Sequence, residues 1–148
     1  MKNNILIING PNLNMLGTRE TDIYGMETLD QIEAKCISWG AKYNLHVKFS
    51  QSNEEGKIVN LIQQAPDSFS AIIINAGAYT HTSIAIHDAL KGCELPIIEV
   101  HLSNIFKRES FRHNSYISGT AQGLICGFGS ESYHLAIIAS ANLLKRQN

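Results

Sequence analysis

The sequence has few of the residues that mark a disulfide-bonded, metal-binding or membrane-embedded protein. Its three cysteines, Cys36, Cys93 and Cys126, are widely spaced and form no CxxC pair. They therefore predict reduced thiols in a packed core rather than a disulfide framework or a zinc site. No apolar run approaches the ~18 residues of a membrane span, and the run over residues 5–8 is too short for a signal-peptide core. We expect a cytoplasmic protein with no membrane partner and no bound metal.

Net charge is also small. Twelve Lys and Arg against thirteen Asp and Glu give a formal charge of -1, which argues against a broad surface for nucleic acid or an anionic membrane. A hydrophobic fraction of 44% with 17% charged residues is typical of a soluble globular protein and excludes a disordered chain. The length of 148 residues predicts one domain spanning residues 1–148.

Five short apolar runs predict five β-strands, over residues 5–9, 45–49, 71–75, 97–101 and 124–128. The first, third and fourth are nearly continuous in β-branched residues, which is typical of strands buried on both faces of a parallel sheet. The second run, LHVKF, alternates between apolar and polar residues. This alternation favours a place near the edge of the sheet.

Helical patterns lie between the apolar runs. The first helix is predicted to begin at a capping box formed by Thr28 and Gln31. Its apolar stripe, with steps of three and four, consists of Leu29, Ile32, Cys36, Trp39 and Tyr43. A second capping box, Ser52 with Glu55, predicts the start of the next helix.

A third helix is expected after Thr82 and a last one from about Ser130 to Lys145. Strands alternating with helices predict an α/β fold, a flavodoxin-like three-layer sandwich around a five-stranded parallel sheet of order 2-1-3-4-5. In that order the binding crevice lies outside the carboxyl ends of strands 1 and 3. The polar segment over residues 10–25 falls there and is long for a βα loop of usually ~2–6 residues, as lids and catalytic loops are.

Arg19 and Tyr24 in this long segment are candidates for proton transfer. A free phenol has a pKa of ~10, so a tyrosine acts as a base near neutral pH only where positive charge stabilises the phenolate. A loop-capping tyrosine and a solvated arginine are the alternative, and their spacing does not separate the two. Asn12 and Asn14 follow Gly10 and Pro11, where turn formation is at least as good an explanation as ligand binding.

Glu99 and His101, at the end of the fourth strand, are stronger candidates. Glu99 interrupts an apolar run, which is costly unless its carboxylate is paired, and the side chain two positions on, His101, projects from the same strand face. Such a pair predicts either an oriented acid–base histidine or a structural ion pair. Asn75 and His81 flank the turn after strand 3, where ligand contact and turn formation are both open.

Two further features carry weaker signals. Arg108 and Arg112 are four positions apart and are predicted to share one helix face, as an anion clamp or as a solvated basic surface. Residues 127–130, GFGS, precede the last helix and suggest a phosphate cradle. They match neither nucleotide-binding fingerprint. A non-catalytic flavodoxin-like module that binds a phosphorylated ligand there is therefore the rival hypothesis.

Three blocks together resemble the signature segments of type II 3-dehydroquinate dehydratases: GPNLNMLGTRE…YG, NAGAYTHTSIAIHDAL and EVHLSNIFKRESFRHNS. The later SYISGTAQGLICGFG is similar too, so the resemblance covers nearly the whole chain in the right order. It implies a flavodoxin-like enzyme without a cofactor that assembles as a homododecamer of trimers. It also implies conversion of 3-dehydroquinate to 3-dehydroshikimate by anti elimination through an enolate, in the shikimate pathway or, as in some organisms, in quinate catabolism.

The resemblance also implies roles for individual residues. Tyr24 would be the base that removes the C2 proton, with Arg19 stabilising the phenolate. Asn12 would hold a water that stabilises the enolate, and His101, oriented by Glu99, would protonate the departing C1 hydroxyl. The implied substrate-binding residues are Asn75, His81, Asp88 from a neighbouring subunit, Leu102, Ser103 and Arg112.

Two positions depart from the family pattern. His87 stands where arginine is frequent, beside Asp88, and Gly119 stands where many members have proline. We expect the first to alter the subunit contact that presents Asp88 and the second to matter little.

Overall fold

The computed structural model of the protein describes residues 3–147. Five strands form one parallel sheet in the order β2-β1-β3-β4-β5. They are β1 (Asn4–Asn9), β2 (His46–Gln51), β3 (Ala71–Asn75), β4 (Ile97–His101) and β5 (Gly123–Cys126). The predicted order and the edge position of β2 are confirmed. The central strands β3 and β4 are buried along their whole length, as their continuous apolar runs indicate.

Helices cover both faces of the sheet and make the predicted three-layer sandwich. They are α1 (Thr21–Tyr24), α2 (Leu29–Ala41), α3 (Glu55–Gln64), α4 (Ile84–Lys91) and α5 (Glu131–Gln147). Buried side chains such as Ile32 and Ile137 hold α2 and α5 on one face, whereas Ile58 and Ile86 hold α3 and α4 on the other. Among residues 3–147, no helix is long and apolar enough to cross a membrane.

The starts of two helices test the capping predictions. The Thr28–Gln31 capping box is present, with its two reciprocal hydrogen bonds at 3.0 and 3.2 Å. The second predicted box is wrong because α3 begins at Glu55 itself, so that residue is not three positions into the helix. Ser52 Oγ instead accepts the Glu54 N–H at 2.9 Å, and the Glu55 carboxylate accepts from Ser83 Oγ at 2.5 Å.

The apolar stripe of α2 ends earlier than predicted. Ile32 and Cys36 are buried, but Tyr43 lies beyond the last helical residue and is exposed. The chain turns there, with Asn44 in the left-handed region at φ 59° and the Leu45 N–H bonded to the carbonyl of Gly40. An asparagine tolerates that conformation well, and the helix ends at Ala41, two residues before the end of the predicted stripe.

The ends of β1, β3 and β4 carry polar residues side by side. Asn9 lies opposite Asn75 in the β1–β3 register, and His101 ends β4. The chain after β4 forms three short 3₁₀ turns, Ile105–Lys107, Ser110–Arg112 and Ser118–Thr120. The prediction that two arginines share one helix face is therefore wrong.

The backbone of Arg108 is extended and lies between the first two of these turns, whereas Arg112 is the last residue of the second turn. The turns close through hydrogen bonds three residues apart, so no α-helix continues between the two arginines.

Candidate active site

A polar cavity of about 210 Å³ lies above the carboxyl edge of the sheet. Nine residues predicted from the sequence line it: Asn12, Arg19, Tyr24, Asn75, His81, His101, Leu102, Ser103 and Arg112. Arg108 lines it as well, so three guanidinium groups border the cavity, whereas no Asp or Glu of residues 3–147 does. The cavity is therefore suited to a small anionic ligand.

Two other predicted residues lie outside the cavity lining. Glu99 is fully buried and contacts the cavity residue His101. Asp88 is exposed on α4 and does not line the cavity of its own chain. Its neighbour His87 donates a hydrogen bond from Nδ1 to the Tyr116 carbonyl at 2.6 Å. Because a carbonyl only accepts, Nδ1 carries the proton.

Glu99 and His101 form a buried pair on one face of β4. His101 Nε2 lies 2.6 Å from Glu99 Oε2, so Nε2 donates and Nδ1 is left without a role in this pair. Ser115 Oγ donates to the same carboxylate oxygen at 3.0 Å, and Ser118 Oγ donates to Oε1. The predicted neighbourhood of Glu99 and His101 is thus present, with two serines added to it.

The hydrogen bonds to Glu99 decide its ionisation. Burial acts to raise the pKa of the Glu99 carboxyl, but the hydrogen bonds from His101, Ser118 and Ser115 outweigh it and hold that pKa below its ordinary value. Glu99 is consequently a carboxylate over the physiological pH range. An ionised carboxylate fixes the orientation of the His101 ring and stabilises its protonated form.

His81 lies across the cavity from His101, with nearly parallel rings whose centroids are 6.3 Å apart. Its Nδ1 donates to the carbonyl of Asn114 at 2.8 Å, which leaves Nε2 for a ligand. Burial lowers the pKa of the His81 imidazole, and the positive charges of His101 and Arg112 lower it further. His81 is therefore a neutral hydrogen-bonding group near pH 7.

The hydroxyl of Tyr24, the last residue of α1, is held by an arginine from another segment. Arg108 Nη1 donates to Tyr24 Oη at 2.5 Å, and the Arg108 Cζ lies 5.2 Å from the tyrosine ring centroid. Arg19 is more distant, with its Cζ 6.0 Å from that centroid and its Nη1 3.3 Å from the carboxylate of Glu20. In this structure the guanidinium next to the phenol oxygen is that of Arg108.

A polar network at the carboxyl end of β2 supports the backbone at Asn12. Asn12 is left-handed, with φ 70°, and its N–H donates to Asn53 Oδ1 at 3.1 Å. Gln51 Nε2 donates to the same Asn53 oxygen at 3.0 Å and to the carbonyl of Gly10 at 3.1 Å. The left-handed backbone at Asn12 is therefore stabilised from outside its own segment.

Asn75 is oriented by a buried hydrogen-bond chain. Tyr133 Oη donates to Asn9 Oδ1 at 2.6 Å and accepts from Asn75 Nδ2 at 3.0 Å. The Gly77 N–H donates to Asn75 Oδ1 at 3.3 Å, so both ends of the amide have assigned partners. The direction of each bond fixes which amide atom of Asn75 faces which neighbour.

The loop over residues 127–130 offers little to a phosphate. The N–H groups of Gly127 and Gly129 donate to the carbonyls of His101 and Leu102, at 3.3 and 2.9 Å. The Phe128 N–H donates to Ser132 Oγ at 3.1 Å. Because these three donors are already used within the protein, the loop does not support the rival phosphate-binding hypothesis.

Within residues 3–147 no cluster of three or more His, Cys, Asp or Glu side chains is arranged to hold a metal ion. The fold and the cavity together define an α/β protein of flavodoxin-like topology with a cavity suited to a small anion. A carboxylate-bound histidine, His101, and an arginine-bound tyrosine, Tyr24, line this cavity.

The chain belongs to the class II dehydroquinase family, since the family model "Dehydroquinase class II" matches residues 3–141. It is 51% identical over 142 residues to the 3-dehydroquinate dehydratase of Prochlorococcus marinus (strain NATL1A), covering 96% of this chain and 98% of the relative. It is 48% identical over 147 residues to that of Brucella canis, covering 99% and 94%.

Solved structures agree with the sequence relatives. The type II dehydroquinase from Propionibacterium acnes is similar with a TM-score of 0.91 at 42% identity, covering 96% of this chain and 98% of that one. A 3-dehydroquinate dehydratase-like protein from Bifidobacterium longum gives a TM-score of 0.74 at 30% identity, covering 98% and 99%.

Several residues that shape the site carry no recognisable sequence pattern. Ser115, Ser118 and Tyr133 gave no local signal, because a serine in a turn or a tyrosine on an amphipathic helix is ordinary. Arg108 is predicted as part of an anion clamp and, with Arg112, as a candidate second charge beside Tyr24, but the sequence does not choose between the two arginines. Its contact with Tyr24 joins positions 84 residues apart, and no local pattern encodes such a pair.

Proposed function

We propose that the protein dehydrates 3-dehydroquinate to 3-dehydroshikimate by anti elimination through an enolate, as a step of the shikimate pathway in the cytoplasm. The observation that carries the proposal is the pairing of two proton-transfer units at one cavity, Tyr24 with Arg108 and His101 with Glu99. The names of the relatives support this substrate.

The first step is removal of the C2 proton by Tyr24. The phenol must lose its own proton first, and the adjacent Arg108 guanidinium, together with Arg19 at the cavity wall, stabilises the resulting phenolate. The electron pair of the broken C–H bond then moves toward the C3 carbonyl oxygen and forms the enolate. Asn12 is expected to hold a water against that oxygen.

The second step is loss of the C1 hydroxyl. The enolate electrons return to form the C1–C2 double bond, and the C1–O bond breaks as protonated His101 donates its proton to the leaving oxygen. Glu99 stays ionised behind the ring and stabilises the imidazolium before transfer. Water leaves, and the product is a conjugated enone.

Substrate binding uses the remaining cavity residues. The guanidinium of Arg112 is proposed to bind the substrate carboxylate, because arginine recognises a carboxylate with two parallel hydrogen bonds. Asn75 and His81 then bind hydroxyls, as do the backbone groups of Leu102 and Ser103.

Asp88 is proposed to reach the site of a neighbouring subunit within a homododecamer of trimers. Its exposure on α4, outside the cavity of its own chain, supports this assignment. His87 occupies the position beside it and is tied to the Tyr116 carbonyl. Light scattering coupled to chromatography tests the assembly, and a fully active monomer would contradict it.

Dehydration of the same substrate through a lysine Schiff base is the main chemical alternative. No lysine of residues 3–147 lines the cavity, and Lys107, next to Arg108 in sequence, is exposed. Borohydride added together with 3-dehydroquinate should therefore leave activity intact. Substrate-dependent inactivation would show that a lysine adduct forms.

The direct test is the ultraviolet absorbance of the conjugated enone after mixing protein with 3-dehydroquinate. We expect a steady rise with wild type and a loss of ~10²–10⁴ in turnover for His101→Ala, the usual effect of removing a positioned general acid. Tyr24→Phe should be similarly impaired. The matched controls Tyr43→Phe and His46→Ala change exposed residues outside the cavity and should turn over normally. No rise with wild type would exclude the proposed function.

A further inference from the structure

The segment over residues 114–118, here called the strap, folds back over the Glu99–His101 pair. It crosses from the 3₁₀ turn that ends at Arg112 to the turn Ser118–Thr120. The Asn114 carbonyl of the strap accepts a hydrogen bond from His81 Nδ1. The Tyr116 N–H of the strap donates to the carbonyl of Thr80 at 2.8 Å. The strap is therefore anchored to the turn that carries His81.

The two serines of the strap can donate in only one direction. Ser115 Oγ accepts the N–H groups of Ile117 and Ser118, at 3.0 and 3.1 Å, so its own proton is directed to Glu99 Oε2. Ser118 Oγ donates to Glu99 Oε1 and is the hydrogen-bond partner found for that oxygen among the described residues. Each carboxylate oxygen of Glu99 thus receives a serine proton.

A fully buried carboxylate loses its water shell and needs donors to remain ionised. If Glu99 took up a proton, its pairing with His101 would weaken and the ring would no longer be held with Nε2 against Oε2. The other charged or titratable groups beside the pair are His81, from the turn after β3, and Arg112. Neither of them contacts Oε1, so Ser118 is what stabilises that side of the anion.

We propose that Ser118, assisted by Ser115, is a positioning residue that keeps Glu99 ionised and its Oε2 directed at His101 Nε2. The proton that His101 delivers then remains on the imidazole and leaves from Nδ1, the ring nitrogen that Glu99 does not use. The kinetic consequence rests on the proposed function above, whereas the ionisation of Glu99 does not.

Two variants of the same short turn separate this role from general stability. Ser118→Ala removes the donor to Glu99 Oε1. Thr120→Val also removes a hydroxyl, but Thr120 Oγ1 donates only to the Ile117 carbonyl, at 2.7 Å. We expect Ser118→Ala to lower kcat by about 10-fold to 100-fold, the usual range for one hydrogen bond to a charged group, with KM changed less than about twofold. Thr120→Val should keep wild-type kcat, and Ser118→Thr should restore most of the loss.

The second measurement needs no substrate. The ¹³C carboxyl resonance of Glu99 is followed by NMR against pH, with the ¹⁵N resonances of the His101 ring as reporter of its tautomer. In Ser118→Ala the Glu99 midpoint should rise by about one pH unit or more, and in Thr120→Val it should not move. At high pH the wild-type ring should carry its proton on Nε2.

An unchanged Glu99 midpoint in folded Ser118→Ala overturns the proposal, and so does a shifted midpoint with unchanged kcat. If wild type fails to convert 3-dehydroquinate, the proposed function falls, and the NMR titration still decides the role of Ser118. If Ser118→Ala does not fold, Ser118→Cys replaces it, because a thiol of similar size is a weak donor and should move both readouts in the same direction by a smaller amount.

Discussion

Tyr24 is the proposed base, and its contact with Arg108 predicts which arginine stabilises its phenolate. Arg108 Nη1 lies 2.5 Å from Tyr24 Oη, and the Arg108 side chain is only 11% exposed. Both arginines have a carboxylate nearby, since Arg108 Nε lies 3.6 Å from Glu109 Oε1 and Arg19 Nη1 lies 3.3 Å from Glu20 Oε2, but Arg19 is 42% exposed. Because water screens an exposed charge, Arg108 should stabilise the phenolate more strongly than Arg19 does.

The perturbation is Arg108→Gln, which removes the charge and keeps a hydrogen-bond donor. A positive charge within ~4–6 Å of an acid changes its titration by ~1–3 pH units. The acidic limb of the kcat/KM profile should therefore move up by about 1–3 units, so activity on that limb falls about 10-fold to 1,000-fold. Activity should return toward wild type above the new midpoint. Arg19→Gln is the matched variant and should move the limb by less than about one unit.

The assay is enone formation from 3-dehydroquinate across the pH range in which all three proteins remain folded. A uniform loss of rate with an unshifted limb in Arg108→Gln would refute the argument, since it would show that Arg108 positions the ring without tuning the base. A larger shift for Arg19→Gln than for Arg108→Gln would assign the tuning to Arg19 in the substrate-bound enzyme.

Three further predictions concern buried groups. Tyr133→Phe leaves Asn9 Oδ1 and Asn75 Nδ2 without their shared partner. It should cost about 1–3 kcal/mol of stability in urea unfolding and raise KM more than it lowers kcat; an unchanged KM would contradict the orienting role. Burial lowers the pKa of His81 in the folded protein. His81 therefore takes up its proton at a higher pH in the unfolded chain than in the folded protein. The stability that neutral His81 contributes is present above its unfolded pKa of ~6.5 and is lost as the pH falls through its pKa in the folded protein. His81→Gln should consequently lose less Tm than wild type between pH 7 and pH 5, and an equal loss would refute this. Burial raises the pKa of the Cys36 thiol to about 12. An aromatic disulfide reagent at pH 8 should label Cys36 only after unfolding, whereas labelling of the folded protein at that position would contradict its burial.

The fold was predictable from the sequence because the composition of each strand indicates whether it is buried in the sheet or lies at its edge. Continuous β-branched runs mark β1, β3 and β4, which are buried on both faces, and the alternation of LHVKF marks β2 as an edge strand. The strand order then follows from right-handed crossovers and the number of strands. Errors arose at element ends, such as the Ser52–Glu55 capping box, where one residue of offset changes the role of each side chain.

Contacts in the candidate site were predictable where both residues lie on one element. Glu99 and His101 lie on the same strand face, so their pairing follows from the period of a β-strand. Contacts that depend on where loops meet were not predictable. Ser118 reaches Glu99 from 19 positions away, and Arg108 reaches Tyr24 from 84, through 3₁₀ turns that the sequence pattern presented as one helix.

The most direct test of the account is hydrogen exchange at C2 of 3-dehydroquinate in D₂O, followed by proton NMR. If Tyr24 removes the C2 proton and His101 acts only at the leaving hydroxyl, His101→Ala should exchange that hydrogen with solvent while forming little product. Tyr24→Phe should neither exchange it nor form product. Exchange by Tyr24→Phe at the wild-type rate would contradict the assignment of Tyr24 as the base and, with it, the account as a whole.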